Sequence, residues 1–280
     1  MKNKSKTLRR AGTLLTGLCM CISAYQAIAQ RPPQEPPLKP RQAALIDVTG
    51  YWVAQLGEDW RWRMMTPAIG ETTGIPVNQA ASQFAKAWDP KKDIAEQAEC
   101  RVYGAAGLMR LPERLHIYWV DDQTMEIDID AGMQSRIFHF QDPQSALQPV
   151  AASPPSLQGF SSASWFRQPQ RAGFVPRFGP PKPGQGGSLK VLTNNMTPGY
   201  LRANGVPYSG NAVLKEYFDR VEDEGISYLI LTTVVQDPAF LNEEYISSYE
   251  FKLEPNNAKW NPKPCKINLP TSKTLPARGF

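Results

Sequence analysis

Apolar and polar residues alternate strictly along several short stretches of the chain. In residues 124–130, Met125, Ile127 and Ile129 take every second position and acidic residues take most of the others. Residues 248–254 repeat the pattern with aromatic or aliphatic residues between charged ones. Because successive side chains of a strand point to opposite faces, this period of two predicts half-buried β-strands.

The remaining apolar runs extend this pattern into a β-rich fold. Turn signals such as Asp121-Asp122 separate neighbouring runs and favour hairpins. The other predicted strands are residues 46–55, 60–65, 115–120, 136–140, 188–193, 212–221 and 226–236. We therefore expect a mainly β fold, an antiparallel meander of about 8–10 strands closed as a lipocalin-like barrel, with a β-sandwich as the alternative.

Helical spacing is confined to one region of the chain. Ala81, Phe84 and Trp88 form an apolar face at helical spacing, and the pattern stops before Pro90. A proline is well suited to the first turn of a helix, so a second helix can begin there. The sequence predicts one or two short helices within residues 79–99.

The first 29 residues have the three parts of a secretory signal peptide. Five basic residues precede an apolar run over residues 11–24, which is shorter than the ~20 residues of a membrane-spanning helix. Ala27-Ile28-Ala29 provides the small residues of a cleavage site. We expect cleavage after Ala29 and export to the periplasm or the extracellular space of a Gram-negative-type bacterium, with no transmembrane segment after cleavage.

The net positive charge of the chain comes from this leader. The 280-residue chain has 31 basic and 26 acidic residues. The leader holds five of the basic residues and no acidic one, which leaves 26 of each in the rest of the chain. A neutral body without basic clusters argues against nucleic acid as a partner. The oligomeric state stays open.

Proline-rich segments divide the mature chain. Residues 30–43 are expected to form a spacer, residues 141–187 a Pro/Gly-rich insertion, and residues 266–280 a flexible tail. The predicted strands lie between these segments. We therefore expect a single β domain over residues 44–265.

Export also changes the interpretation of the cysteines. Cys19 and Cys21 leave with the leader, so Cys100 and Cys265 remain. In an oxidising compartment two cysteines most simply form one disulfide, which contributes up to about 5 kcal/mol on the chain-entropy model. No cluster of Cys and His has the spacing of a zinc site, so we assign no metal and no cofactor.

Catalytic motifs are absent from the mature sequence: it contains no GxSxG, HExxH, Walker or GxGxxG pattern. No catalytic residue is assigned. His116 and His139 lie in aromatic-rich strands, where packing in the core competes with a role as metal ligands or as an acid–base pair. A carboxylate-based hydrolase would need a buried pair of acidic residues with raised pKa values. The acidic candidates are Glu58, Asp59, Glu216 and Asp237.

Gly50-Tyr51-Trp52 resembles the Gly-x-Trp that opens the first strand of lipocalin-like (calycin) barrels. The resemblance implies that Trp52 closes one end of the barrel and that a ligand enters at the other. Residues 60–63 then alternate Trp and Arg, which in a strand would place two indoles on one face and two guanidiniums on the other. Such an arrangement suits cation–π or carboxylate recognition at a barrel mouth, or core packing beneath a salt-bridged surface.

Residues 204–209 are a candidate lid over the open mouth. Gly205 permits an unusual turn, Pro207 stiffens it, and Tyr208 offers a ring and a hydroxyl. The alternative is that Tyr208 only covers the core. The ligand-binding candidates are Trp60, Arg61, Arg63, His116 and Tyr208, and the structural residues are Trp52, Cys100 and Cys265.

Several longer segments resemble a group of uncharacterised exported bacterial proteins. The first spans residues 47–64 and has the form D-x-T-G-x-W…E-D-W-R-x-R-M; others lie at 87–90, 110–117, 204–209 and 260–265. The resemblance covers most of the mature chain. It implies export, but it implies no activity and no site residue.

These observations favour an exported β-barrel that binds a small apolar or aromatic molecule. The aromatic content of the strands and the lack of catalytic motifs support this hypothesis. A structural or interaction module of the cell envelope and a carboxylate-based hydrolase are the alternatives. The sequence leans towards a protein that is not an enzyme.

Overall fold

The computed structural model describes residues 38–57, 60–140, 154–167 and 186–268. The predicted leader, most of the spacer, much of the insertion and nearly all of the tail lie outside these ranges. The strands of the described part are β1 (Gly50–Gln55), β2 (Arg114–Trp119), β3 (Thr124–Ile129), β4 (Ala131–Gly132), β5 (Gln134–Phe140), β6 (Phe160–Phe166), β7 (Ser188–Asn194), β8 (Gly199–Arg202), β9 (Val206–Tyr208), β10 (Val213–Asp223), β11 (Ile226–Gln236), β12 (Tyr245–Glu254) and β13 (Lys263–Pro264).

Nine of these strands close into a barrel. Their order around the wall is β1-β12-β11-β10-β7-β6-β5-β3-β2. Neighbouring strands of the wall therefore follow the chain order of the barrel strands, except at β1–β12, where the first and last strands close the ring. β4 pairs with β13, and β8 pairs with β9, in two small sheets of their own. The predicted mainly β barrel is confirmed, and the sandwich alternative is excluded.

The alternating pattern sets which side chains fill the barrel. On β3, Met125, Ile127 and Ile129 are buried, whereas Glu126 and Asp128 are only half-buried. Inward apolar side chains of the other barrel strands join them in one cluster of buried residues, while Leu214, Val235 and Tyr245 at the helical end belong to a second cluster. Burial of this apolar surface is the main force that stabilises the barrel.

One strand pair departs from the antiparallel meander. β5 and β6 run parallel, with Phe138 opposite Ser161 and Phe140 opposite Ala163. In a closed ring each antiparallel pair reverses the strand direction, so a ring with an odd number of strands needs at least one parallel pair. The nine-stranded barrel meets this condition at β5–β6, while the pair that closes the ring, β1–β12, is antiparallel.

The two ends of the barrel differ. One end, called here the turn end, carries the short connections β2–β3 and β10–β11. The opposite end, called the helical end, carries the long segment between β1 and β2 together with the β8–β9 hairpin. That segment contains α1 (Trp60–Met64), α2 (Gln79–Ala87), α3 (Pro90–Ala95), a 3-10 helix over Glu99–Tyr103, and α4 (Ala105–Leu108).

The predicted helices over 79–99 are confirmed as α2 and α3. Asn78 caps α2 by accepting a hydrogen bond from the Ala81 amide, and Asp89 caps α3, which begins at Pro90. The apolar face of α2 differs from the prediction. Ala81 is fully buried as expected, but the Phe84 side chain is exposed and does not enter the core.

The predicted strand over residues 60–65 is wrong, because this segment forms α1. The alternation of Trp and Arg over four residues is too short to distinguish a period of 2 from one of 3.6. A strand here would have paired with β1, but both neighbours of β1 are already provided by β2 and β12.

The predicted insertion over 141–187 contains a strand of the barrel. β6 lies within it and pairs with β5 on one side and β7 on the other. The sequence analysis also missed the β8–β9 hairpin, which packs on the helices at the helical end. Consecutive residues of both elements are buried, so they lack the alternation that marks the other strands.

Cys100 and Cys265 form a disulfide, in agreement with the prediction. Cys100 lies in the 3-10 helix, and Cys265 follows β13 directly. Next to the bond, the Tyr103 hydroxyl donates a 2.9 Å hydrogen bond to the carbonyl of Lys266. The disulfide therefore fixes the last described residues of the chain to the helical end.

Candidate functional site

An apolar cleft of about 480 Å³ opens on the outside of the helical end. Its walls come from four separate parts of the chain. The lining residues are Phe84 from α2, Arg101 from the 3-10 helix, residues 197–200 and 207–209 from the two arms of the β8–β9 hairpin, and Phe240 from the β11–β12 connection. The volume lies within the range of about 300–1,000 Å³ that is usual for small-molecule sites.

Three aromatic rings form the apolar walls of the cleft. The ring centroid of Phe84 lies 6.0 Å from that of Phe240 and 6.5 Å from that of Tyr200. The ring planes are inclined by 46° in the Phe84–Tyr200 pair and by 50° in the Phe84–Phe240 pair, which is a favourable arrangement for aromatic contacts. Phe84 keeps 46% of its surface exposed although it is a large apolar residue on a capped helix. An apolar side chain held over a cleft in this way is available to a ligand.

The buried carboxylate of Asp93 holds the base of the cleft in place. It accepts hydrogen bonds from the Trp88 indole at 2.8 Å, the Tyr200 hydroxyl at 2.6 Å and the Arg101 guanidinium at 2.8 Å. Burial and the hydrogen bond with Asp93 raise the pKa of Tyr200 to about 12. Tyr200 is therefore a neutral donor at physiological pH, and both it and Arg101 have fixed positions.

Tyr208 also lines the cleft, but its ring is fully buried. It belongs to a second cluster of buried residues between the barrel and the helices, with Leu201, Val206 and Leu214 among its members. The sequence predicted a lid with an accessible Tyr208 ring. In the structure, residues 204–208 are buried parts of the hairpin. The alternative considered from the sequence, a Tyr208 ring that covers the core, agrees with this position.

The structure does not bring His116 to Tyr208. His116 points away from the barrel interior, because its neighbours Leu115 and Ile117 are the buried residues of β2. Its ring stacks on Tyr51, with centroids 4.1 Å apart and planes within 5°. His116 thus contributes to an aromatic cluster on the outer wall and not to the cleft.

The segment that contains Trp60, Arg61 and Arg63 lies apart from the residues that line the cleft. Trp60 is 56% exposed on α1. Arg63 is buried and donates hydrogen bonds to the carbonyls of Gln55 and Arg110, both at 3.0 Å, while it lies 5.1 Å above the Tyr249 ring. The side chain of Arg61 lies outside the described part of the structure. The described contacts of Arg63 hold the helical end together.

Trp52 is fully buried within the barrel, and its indole donates a 2.9 Å hydrogen bond to the carbonyl of Val48. On β1 it is flanked by Leu115 of β2 and Leu253 of β12. This position agrees with the structural role assigned from the sequence. It is a core side chain that ties the segment before β1 to the barrel.

Of the acidic residues proposed for a hydrolase, the two within the described ranges, Glu216 and Asp237, do not form a pair. Glu216 is bound to Arg136 inside the barrel, and Asp237 accepts hydrogen bonds from the backbone and hydroxyl of Ser209. Glu58 and Asp59 lie outside the described residues. The sequence analysis missed Glu113, a fully buried carboxyl whose pKa is raised well above its usual value by burial and by nearby Asp130, with Arg63 acting in the opposite direction.

The aromatic walls were also missed by sequence reasoning. Phe84 was assigned to the core, and Tyr200 and Phe240 belong to segments without a periodic pattern. The one available signal was the Phe84 position on a helix whose buried face is formed by Ala81 and Ala85. Phe84 does not belong to this buried face.

Comparison of the chain with protein-family models, with curated proteins and with solved structures gives no match. Among the described residues, none of the helices has the length and apolar character to span a membrane.

Proposed function

We propose that the protein is an exported β-barrel that binds a small, partly apolar molecule in the aromatic cleft at its helical end. The observation that carries this proposal is the cleft itself, of about 480 Å³, with the exposed Phe84 ring packed beside Tyr200 and Phe240 on its wall. A cleft lined by rings and supported by a fixed hydrogen-bond network has the usual properties of a ligand site. The proposal moves the site from the barrel mouth, which the sequence favoured, to the outside of the barrel.

The lipocalin-like relation and the signal peptide remain parts of this proposal. The relation is supported by the position of Trp52, which is buried in the barrel at the first strand. Export is supported by the disulfide between Cys100 and Cys265, since such bonds persist in oxidising compartments.

The proposal can be tested with 2-acetylnaphthalene, an apolar ring compound with one carbonyl group, in a titration followed by ligand-observed NMR. We compare wild type with Phe84→Ala and with Ile94→Ala. Phe84 and Ile94 lie on adjacent helices and are 46% and 44% exposed, but only Phe84 lines the cleft. Neither substitution removes a core side chain, so both variants should fold.

We expect Phe84→Ala to weaken binding about tenfold or more, because the ligand loses apolar contact with the ring. Ile94→Ala should bind like wild type. Equal binding by all three proteins, or no binding by wild type, would contradict the proposed site.

A further inference from the structure

One buried polar atom at the base of the cleft has no hydrogen-bond partner among the described residues. It is the hydroxyl oxygen of Tyr208. The other phenol beside the cleft is engaged, because the Tyr200 hydroxyl donates to Asp93. A buried hydroxyl without a partner destabilises a fold, whereas a phenylalanine at the same position would fill the space without this penalty.

Two glycines keep space for this hydroxyl. A β-carbon on Gly199 would lie 2.6 Å from the Tyr208 hydroxyl oxygen and 2.8 Å from the carbonyl oxygen of Arg101. A β-carbon on Gly104 would overlap the same hydroxyl. Gly199, Arg101 and Tyr208 all line the cleft. The hydroxyl thus lies directly behind a residue of the cleft wall that has no side chain.

The Tyr208 hydroxyl is a donor at physiological pH. Burial raises its pKa well above the usual value of a phenol, and the opposite effect of Arg136 is smaller. Since the oxygen is shielded from bulk solvent, an acceptor that reaches it does not compete with water. The apolar walls select a ring, and this donor selects an oxygen atom next to the ring.

We infer that the molecule bound in the cleft carries an oxygen acceptor, such as a carbonyl, beside its apolar ring, and that the Tyr208 hydroxyl donates a hydrogen bond to that oxygen. This inference rests on the proposed function. It adds the chemical class of the ligand, and it gives Tyr208 a ligand-binding role through its hydroxyl while its ring stays in the core.

The test compares two probes of nearly the same size, 2-acetylnaphthalene and 2-isopropenylnaphthalene. In the second, a CH₂ group replaces the carbonyl oxygen. Wild type should bind the ketone about tenfold more tightly than the hydrocarbon, which is the effect of one hydrogen bond made in a buried site. Tyr208→Phe should bind both probes equally, because the ring remains and the donor is gone.

Tyr103→Phe is the matched control. Tyr103 is the last residue of the 3-10 helix that carries Arg101, and it donates to the Lys266 carbonyl, but it does not line the cleft. This variant should keep the tenfold preference. Tyr208→Phe should melt at or above the wild-type temperature, since it removes only an unpartnered hydroxyl.

The outcomes separate the inference from the proposed function. If wild type binds both probes equally, or if Tyr208→Phe keeps the preference for the ketone, the inference is wrong while the cleft remains a binding site. The first of these results would mean that a buried water satisfies the hydroxyl. If neither probe binds wild type, or if Phe84→Ala does not weaken binding, the proposed function and the inference both fail.

Discussion

Arg136 and Glu216 form a bidentate ion pair inside the barrel. The two guanidinium nitrogens of Arg136 on β5 donate to the two carboxylate oxygens of Glu216 on β10, at 2.8 and 2.6 Å, and neither side chain is exposed. Thr193 accepts a further hydrogen bond from Arg136, and its hydroxyl is 3.1 Å from the donor. The pair links strands that are separated in the wall by β6 and β7.

We expect Glu216→Gln to destabilise the protein by about 3–5 kcal/mol, because it leaves the Arg136 charge buried without a counter-ion. The double variant Arg136→Met, Glu216→Leu should recover most of this loss, since it removes both charges and fills the space. Urea unfolding measures both. Asp122→Asn is the control: its exposed ion pair with Lys39 should contribute no more than about 1 kcal/mol. A double variant as unstable as the single one would show that the pair stabilises the barrel beyond charge compensation.

Trp52 and Tyr208 are both fully buried, so both should behave as core residues when truncated. Replacing either one with Ala should cost about 3–5 kcal/mol of unfolding free energy, from lost apolar contact and the cavity that remains. Thermal and urea denaturation measure the change. Phe84→Ala is the exposed comparison and should stay within about 1 kcal/mol of wild type. A small effect of Tyr208→Ala would mean that its ring is a mobile lid, as the sequence first suggested.

The strands of the barrel were largely predictable from the sequence because one face of each is buried. β3 alternates over its whole length and β11 from Leu229 onward, and the predicted bounds of both agree with the observed ones to within one residue. β12 begins at Tyr245, three residues before the predicted start. β6 was missed because three consecutive residues, Ser161 to Ala163, are buried on both faces and interrupt the alternation. A central strand of this kind shows no period of two.

The cleft could not be predicted in the same way. Phe84, Arg101, Tyr200 and Phe240 come from a helix, a 3-10 helix, a hairpin and a loop, and only tertiary packing brings them together. Tyr208 was selected from the sequence as a ligand-binding residue on its chemistry alone. Its burial, and the two glycines around its hydroxyl, are consequences of how the hairpin packs, and they carry no local signal.

His116 should make the stability depend on pH. Burial lowers its pKa below the usual value of 6.5, and the opposite effect of Asp128 is smaller. Between the folded pKa and 6.5 the unfolded chain binds more protons, so the free energy of unfolding falls as the pH drops through this range and is fully present above it. The neighbouring rings of Tyr51, Tyr118 and Trp260 carry no charge that would change this sign.

Urea unfolding at a series of pH values between 5 and 8 checks this prediction. The variant His116→Phe keeps a ring for stacking on Tyr51 and should lose the slope below pH 6.5, whereas His139→Gln keeps His116 and should retain it. A slope that is unchanged in His116→Phe would assign the effect to other groups.

Maturation gives a test that does not depend on the fold. If residues 1–29 are a signal peptide, protein recovered from the periplasm should have the mass of a chain that begins at Gln30. A protein that still begins at Met1, or that carries a lipid on Cys19, would contradict export with cleavage.

The disulfide gives the last prediction. Cys100 adjoins Arg101, which lines the cleft, and Cys265 precedes Lys266, whose carbonyl binds Tyr103. We therefore expect the double variant Cys100→Ser, Cys265→Ser to lose about 2–5 kcal/mol of stability, because its unfolded chain is no longer constrained. It should also bind 2-acetylnaphthalene more weakly than wild type, because the 3-10 helix that carries Arg101 loses its covalent support.

Non-reducing peptide mapping of wild type should show the 100–265 link, and wild type treated with a reductant should reproduce both effects. Two freely alkylated thiols in the native exported protein would contradict the link, and a stable double variant with unchanged binding would show that the cleft does not depend on it.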